Sequence, residues 1–331
     1  MLCSAIVGPL TLVSECGLCT GSGTFVKLWE NAVRFQDDGE VQNALAAFSQ
    51  AAGAASEDDD LEAQRAVFAS VAIIHRQTKN FGKALTASQR HLELSELLKE
   101  PRAICVSHLR IAQVYLDLGK KYARTMQQET ILDPDVIDPA VQYFRSAAEH
   151  YNHALNLARA LSDRQFLLRC YKKLGSTHRT LQQPQLALEY LELHLKTARA
   201  VGTPKQKESA ARMLADLLSD VPDDIVSTAF ASDKALFERL VELRWEQAAA
   251  AQQAELKYYC LHAYFHLGRL MEDSGSYTQY YGPQKAAKHY QKVLEIGKEL
   301  QLHELGQTGA QMVKESAARL EALEAGSCVI S

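Results

Sequence analysis

The feature that most limits what this chain can fold into is a recurrence about forty residues long. One segment runs Leu28, Asn31-Ala32, Phe35, then Ala44, Phe48, Ala51. A second runs Phe68, Val71-Ala72, His75, then Ala84, Ser88, His91. A third begins His108, Ile111-Ala112, Tyr115, and a fourth runs Tyr171, Leu174-Gly175, His178, then Ala187, Leu191, His194. The small residue marks the step: Ala32 to Ala72, Ala72 to Ala112 and Gly175 to Ala215 are each 40. Ala112 to Gly175 is 63, or 40 plus an insertion of 23, and Ala215 to Gly268 is 53, or 40 plus 13.

Ala and Leu dominate, with Glu, Gln, Lys and Arg between them, and Pro (8) and Gly (17) are too few for long breaker-rich linkers. The repeat therefore reads as two antiparallel helices. The small residue lets the second helix approach, and the rings and aliphatic groups around it fill the gap to the next hairpin. No single hairpin can bury its apolar stripe, so neighbours must stack. Turn residues fall between the helical runs, at Asp37-Asp38-Gly39, Lys79-Asn80-Phe81-Gly82 and Gln182-Gln183-Pro184.

The Leu174-Gly175…His178…Ala187…Leu191 run and the Asn80-Phe81-Gly82-Lys83-Ala84 turn resemble tetratricopeptide repeat proteins, over roughly residues 25 to 300. The unit is longer than that family's usual ~34 residues. It is similar to the subclass found in spindle adaptors rich in Leu-Gly-Asn repeats and in tonsoku-type proteins, on Ala84…His91-Leu92-Glu93-Leu94 and Ala187…His194-Leu195. The family's Trp is missing from its usual slot. The resemblance implies an all-α, right-handed superhelix (an α-solenoid) of about six helix hairpins plus a C-terminal capping helix, over residues 25–325. It implies a non-catalytic scaffold or adaptor for a protein or peptide. An architectural subunit of a cytoskeletal or ciliary complex is the alternative.

In that family the first helix of each hairpin lines the concave groove. Counting from the small residue places Trp29, Val33, Ile73, Leu109 and Leu116 there, with Arg76, Arg169, Lys172, Arg179 and Arg212. Such a groove is apolar at one end and basic in the middle, and suits an acidic, partly apolar peptide. The family's clamp for chaperone carboxylates is not expected, because the matching positions hold Trp29, Val33, Ala69 and Ile73.

Other classes are disfavoured. Lys and Arg number 36 against 40 Asp and Glu, so no basic excess points to nucleic acid. Cys16 and Cys19 form a lone pair without two further zinc ligands. His262 and His266 are four apart, but Ala263-Tyr264-Phe265 between them lacks the Glu of a metalloprotease helix. His75 with His178, and His91 with His194, are repeat equivalents that packing explains. With no phosphate loop and no G-x-S-x-G, the chain is expected to be no enzyme and to hold no cofactor or metal.

The seven cysteines, an odd and scattered set, predict a reducing compartment. Residues 1–24 carry no Lys or Arg, and Gly8, Pro9, Ser14 and Glu15 break their apolar run. They read as a flexible or capping segment rather than a signal or a membrane span. One insertion spans 120–138, opening on Lys120, Lys121 and Arg124 and closing on Asp133-Pro134 and Asp138-Pro139; a helix should start at Pro139 with Asp138 as its cap. A second is placed near 274–283, with Tyr277, Tyr280 and Tyr281. Residues 326–331 form a small, flexible tail that ends Cys328-Val329-Ile330-Ser331, a C-a-a-X sequence whose Ser favours farnesyl on Cys328. Arg319 is the one basic residue between Glu315 and Glu324. A single lipid chain without a basic run predicts a cytoplasmic protein held reversibly at a membrane.

Overall fold

The computed structural model describes residues 23–126, 139–220, 233–272 and 282–327. Among the described residues there are thirteen α-helices and no strand. They are α1 (Gly23–Asp37), α2 (Val41–Glu57), α3 (Leu61–Gln77), α4 (Phe81–Leu97), α5 (Pro101–Met126), α6 (Pro139–Ala160) and α7 (Arg164–Thr180). Then come α8 (Pro184–Val201), α9 (Pro204–Asp220), α10 (Asp233–Gln253), α11 (Lys257–Glu272), α12 (Pro283–Glu299) and α13 (Leu302–Ser327). They pair into six hairpins followed by α13, which breaks at Gly306 (φ +59°, ψ −176°). The fold class is an α-solenoid.

The forty-residue period resolves into two halves of twenty. Helices α2, α3 and α4 are each 17 residues long. Each is closed by a residue in the left-handed region, and Gly39, Asp59, Lys79 and Lys99 (φ +77°, +53°, +59°, +53°) follow one another at intervals of 20. Ser162 and Gln182 repeat the step (φ +52° and +54°). The closure at Lys79 is typical. Its N–H donates to the Arg76 carbonyl (3.0 Å), and the Asn80 N–H donates to His75 (2.8 Å), so two carbonyls at the helix end are satisfied.

The departures from the forty-residue step fall at particular helices and connections. α5 absorbs part of the first by running on to Met126 before α6 opens at Pro139. Separate from the insertion expected near 274–283, which falls between α11 and α12, are the extra 13 residues between Ala215 and Gly268. They fall between α9 and α10 (residues 221–232) and in α10, which has 21 residues rather than 17. The expectations for residues 1–22, 127–138, 273–281 and 328–331, including Tyr277, Tyr280, Tyr281 and Cys328, fall outside the described residues.

The chain divides into two compact units, residues 1–166 and 167–331. In the first, Phe25, Trp29, Phe48, Val67 and Ile74 pack among Ala32, Ala44, Ala51, Ala55 and Ala63. In the second, one cluster joins Leu191, Leu195, Leu214, Leu218 and Leu243, and another joins Leu261, Phe265, Tyr290, Val293 and Met312. The alanines and glycines explain the close approach of the helices, and the large groups opposite them fill the space. No helix of the described residues is long and apolar enough to cross a membrane.

Candidate functional site

The expected binding residues sit on the first helices of the hairpins. In the first unit these are α1, α3 and α5. Trp29 is 6% exposed and packed between Phe25 (centroids 6.0 Å) and Phe48 (5.3 Å, edge-on), so its ring belongs to the core. Leu116 is also buried, whereas Val33, Ile73 and Leu109 are half-buried. Arg76 Nη1 donates to Asp117 on α5 at 3.2 Å.

In the second unit the first helices are α7, α9 and α11. Arg179 near the end of α7 forms an ion pair with Asp220 at the end of α9. Arg76–Asp117 and Arg179–Asp220 are both 41 residues apart, so one rung is repeated in the two units. Lys172 Nζ donates to Ser209 Oγ at 2.8 Å; burial lowers its pKa, and Arg212 lowers it further. Arg212 Nε donates to Glu208 (3.1 Å), its guanidinium also approaches Asp216 (3.6 Å), and it lies over the Tyr259 ring at 5.2 Å. Arg169 is exposed on the same helix as Lys172 and Arg179. An open cleft of about 440 Å³ lies beside them, lined by Ser176, Arg179 and Thr180 at its polar edge and by Leu191 and Met213 beneath. The expected basic stripe is thus largely paired in place, as a mixed ladder of Arg and Asp or Glu.

Sequence reasoning missed what lies under this ladder. Arg244 of α10 is 1% exposed and pairs with Asp216 at 2.8 Å, while its Nη1 donates to Gln247 Oε1 (3.1 Å). Gln247 Nε2 in turn reaches Glu208 (3.3 Å) and His262 Nδ1 (3.3 Å). Burial raises the Glu208 carboxyl against the pull of Arg212. Burial and the nearby Arg244 hold His262 down at about 4 and His266 at about 2, so both rings are neutral near pH 7. The i,i+4 histidine pair is therefore part of a buried polar network. Charged residues run through most of α10, so nothing in the sequence set Arg244 apart as buried, and the 13-residue excess hid its register.

In the first unit His108, His150 and His153 cluster, with His108 and His150 Nδ1 atoms 3.0 Å apart. Among the described residues no group of three His, Cys, Asp or Glu side chains is arranged to hold a metal ion.

No family model matches this chain, and no curated protein matches it. Solved structures do. A signal-transduction ATPase of the STAND class with a tetratricopeptide repeat sensor, from Pyrococcus horikoshii, aligns with 86% of this chain at a TM-score of 0.62 and 14% identity. The fold is tetratricopeptide-like. This chain spans only 38% of that ATPase. The apo form of RapI aligns over 91% of this chain and 97% of its own, with a TM-score of 0.54 and 12% identity. At these identities the likeness concerns the fold alone.

Proposed function

We propose that this tetratricopeptide-like chain is a non-catalytic scaffold that holds a protein or peptide on the first helices of its hairpins. The observation that carries this reading is the cleft beside Arg179, polar at its rim and apolar at Leu191 and Met213. That chemistry suits an apolar anchor with a neighbouring carboxylate, which would compete with Asp220 for Arg179. Peptides selected on the protein from a random display library test it. Enriched peptides should combine acidic and apolar residues, bind more weakly as salt rises, and lose binding to Lys172→Glu/Arg179→Glu. Enrichment of peptides that bind the double variant equally well would refute the site.

We further infer, from sequence, that Cys328 accepts a farnesyl group and gives weak, reversible membrane association of a cytoplasmic protein. Mass spectrometry of the C-terminus from prenylating cells tests this, and an untrimmed, unmodified Ser331 refutes it. One observation favours the second reading, an architectural subunit. Trp245, 45% exposed, meets Tyr264 and His289 edge-on (6.1 and 5.3 Å), so an aromatic group lies at the surface of α10–α12.

A further inference from the structure

Hairpins α3–α4 and α7–α8 match with a shift of 103 residues. α3 begins at Leu61 and α7 at Arg164, while α4 begins at Phe81 and α8 at Pro184. Phe68 thus corresponds to Tyr171, His75 to His178, and Ala87 to Tyr190. In α7–α8 the Tyr190 ring stacks on His178 (centroids 5.4 Å, planes 11° apart) and tilts against Tyr171 (6.5 Å). The next pair, α5–α6, fills its equivalent space with His150, set against Tyr115 (5.7 Å) and His108 (5.2 Å).

In α3–α4 the flanking rings are kept but the filler is alanine. An open cleft of about 450 Å³ lies there, lined by Phe68, Val71, His75 and Ala87, with Lys83 and Arg90 at its edge. Arg90 is paired with Glu93 at 2.8 Å. Among the described residues Lys83 makes no ion pair and is exposed. Burial and Lys83 both disfavour a charge on His75, so its ring offers a neutral stacking face at pH 7.

We propose that the α3–α4 cleft binds an aromatic side chain of a partner polypeptide, seated between Phe68 and His75 as Tyr190 is between Tyr171 and His178, with a neighbouring acidic residue meeting Lys83. The filled hairpins supply the template for the occupant, and the lone Lys83 ammonium supplies the charge preference. This site is separate from the first-helix face of the second unit and does not depend on it.

The test uses the full chain with alanine methyl groups labelled for NMR, so that Ala87 reports the cleft. The probes are N-acetyl-phenylalaninamide, N-acetyl-leucinamide and the amidated tripeptide N-acetyl-Glu-Phe-Glu. The aromatic probes should shift the Ala87 methyl saturably, the acidic tripeptide binding at least about fivefold more tightly at low salt. The leucine probe should be weaker. Ala87→Tyr supplies the missing ring from within and removes the reporting methyl. It is therefore read by photolabelling with N-acetyl-benzoylphenylalaninamide, which should no longer mark residues 68–93. Lys83→Glu should remove the preference for the acidic peptide and leave the neutral phenylalanine probe unaffected. Photolabelling of the unaltered protein by N-acetyl-benzoylphenylalaninamide should place the adduct within residues 68–93, whatever the behaviour of the variants. Equal response to leucine, binding that survives Ala87→Tyr, an acidic preference that survives Lys83→Glu, or adducts elsewhere would each overturn the proposal.

Discussion

Gly175 of α7 faces Leu191 of α8 so closely that a methyl group added to the glycine would lie 2.6 Å from Leu191 Cδ2. Gly268 meets Tyr290, and Gly119 meets Phe144, at the same 2.6 Å. A side chain at these positions must displace the buried Leu191, Tyr290 or Phe144 side chain that faces it. Gly175→Leu should lower stability by about 1–3 kcal/mol despite a gain of about 1 kcal/mol in helix propensity. Gly53, on the exposed side of α2 with nothing within 4 Å of an added Cβ, is the control. Gly53→Ala should raise stability by about 0.5–1 kcal/mol. Denaturant titrations giving both variants the same sign would contradict the packing.

Arg244 and Asp216 should behave as a coupled pair. The arginine is buried and its Nε has no hydrogen-bond partner, so its charge rests on Asp216 and Gln247. Asp216→Ala leaves that cation stranded and should cost about 3 kcal/mol. Arg244→Met keeps the packing volume and should cost less. The double variant should resemble Arg244→Met alone, which a double-mutant cycle reads as strong coupling. Additive losses would show that the two side chains act independently.

The left-handed helix closures give a prediction of opposite sign. Lys79 is exposed and held at φ +59°. An L side chain costs roughly 1–2 kcal/mol in that region, and glycine relieves it while adding about 0.5–1 kcal/mol of unfolded-state entropy cost. Lys79→Gly should therefore be stabilising, by up to about 1 kcal/mol, whereas Lys79→Pro should be severely destabilising. A loss of melting temperature in Lys79→Gly would argue against the left-handed closure.

Much of this architecture is legible in the sequence because small residues at helix contacts cannot be exchanged for large ones without overpacking. Ala32, Ala72, Ala112, Gly175 and Ala215 therefore keep their spacing, and the start of α6 shows in Pro139. The twenty-residue half-period was hidden because only Gly39 among its left-handed closures is glycine; Asp59, Lys79 and Lys99 carry no such mark. Counting along the first helices finds the surface positions Arg76, Arg169 and Arg179 but cannot tell which charges are already matched. Asp117 and Asp220 sit one hairpin further on, and only the stacking brings them across. Trp29 carries the same lesson: its position says first helix, while its rotamer and neighbours put the ring inside.

The final prediction concerns acid. Burial, the largest cause in each case, holds His91 and His266 at about 2 and His194 and His262 at about 4, against an ordinary 6.5. His91 is fixed as a neutral ring: its Nε2 accepts from Arg110 (3.0 Å), so Nδ1 carries the proton and donates to Ser107 Oγ (2.6 Å). Arg110 and Arg65 oppose any further charge there. Below pH 6.5 the unfolded chain binds protons that the folded chain refuses, so stability is present above that pH and is lost as the pH falls. At pH 5 each such histidine contributes a loss of about 2 kcal/mol relative to neutral pH. Glu208, whose carboxyl is raised, acts in the opposite sense and offsets only part of the loss. Melting should therefore shift downward between pH 7.5 and 5, and His91→Gln should flatten the profile while reducing stability at neutral pH. A stability that stays level across this interval would mean that these rings accept protons in the folded chain as readily as in the unfolded one.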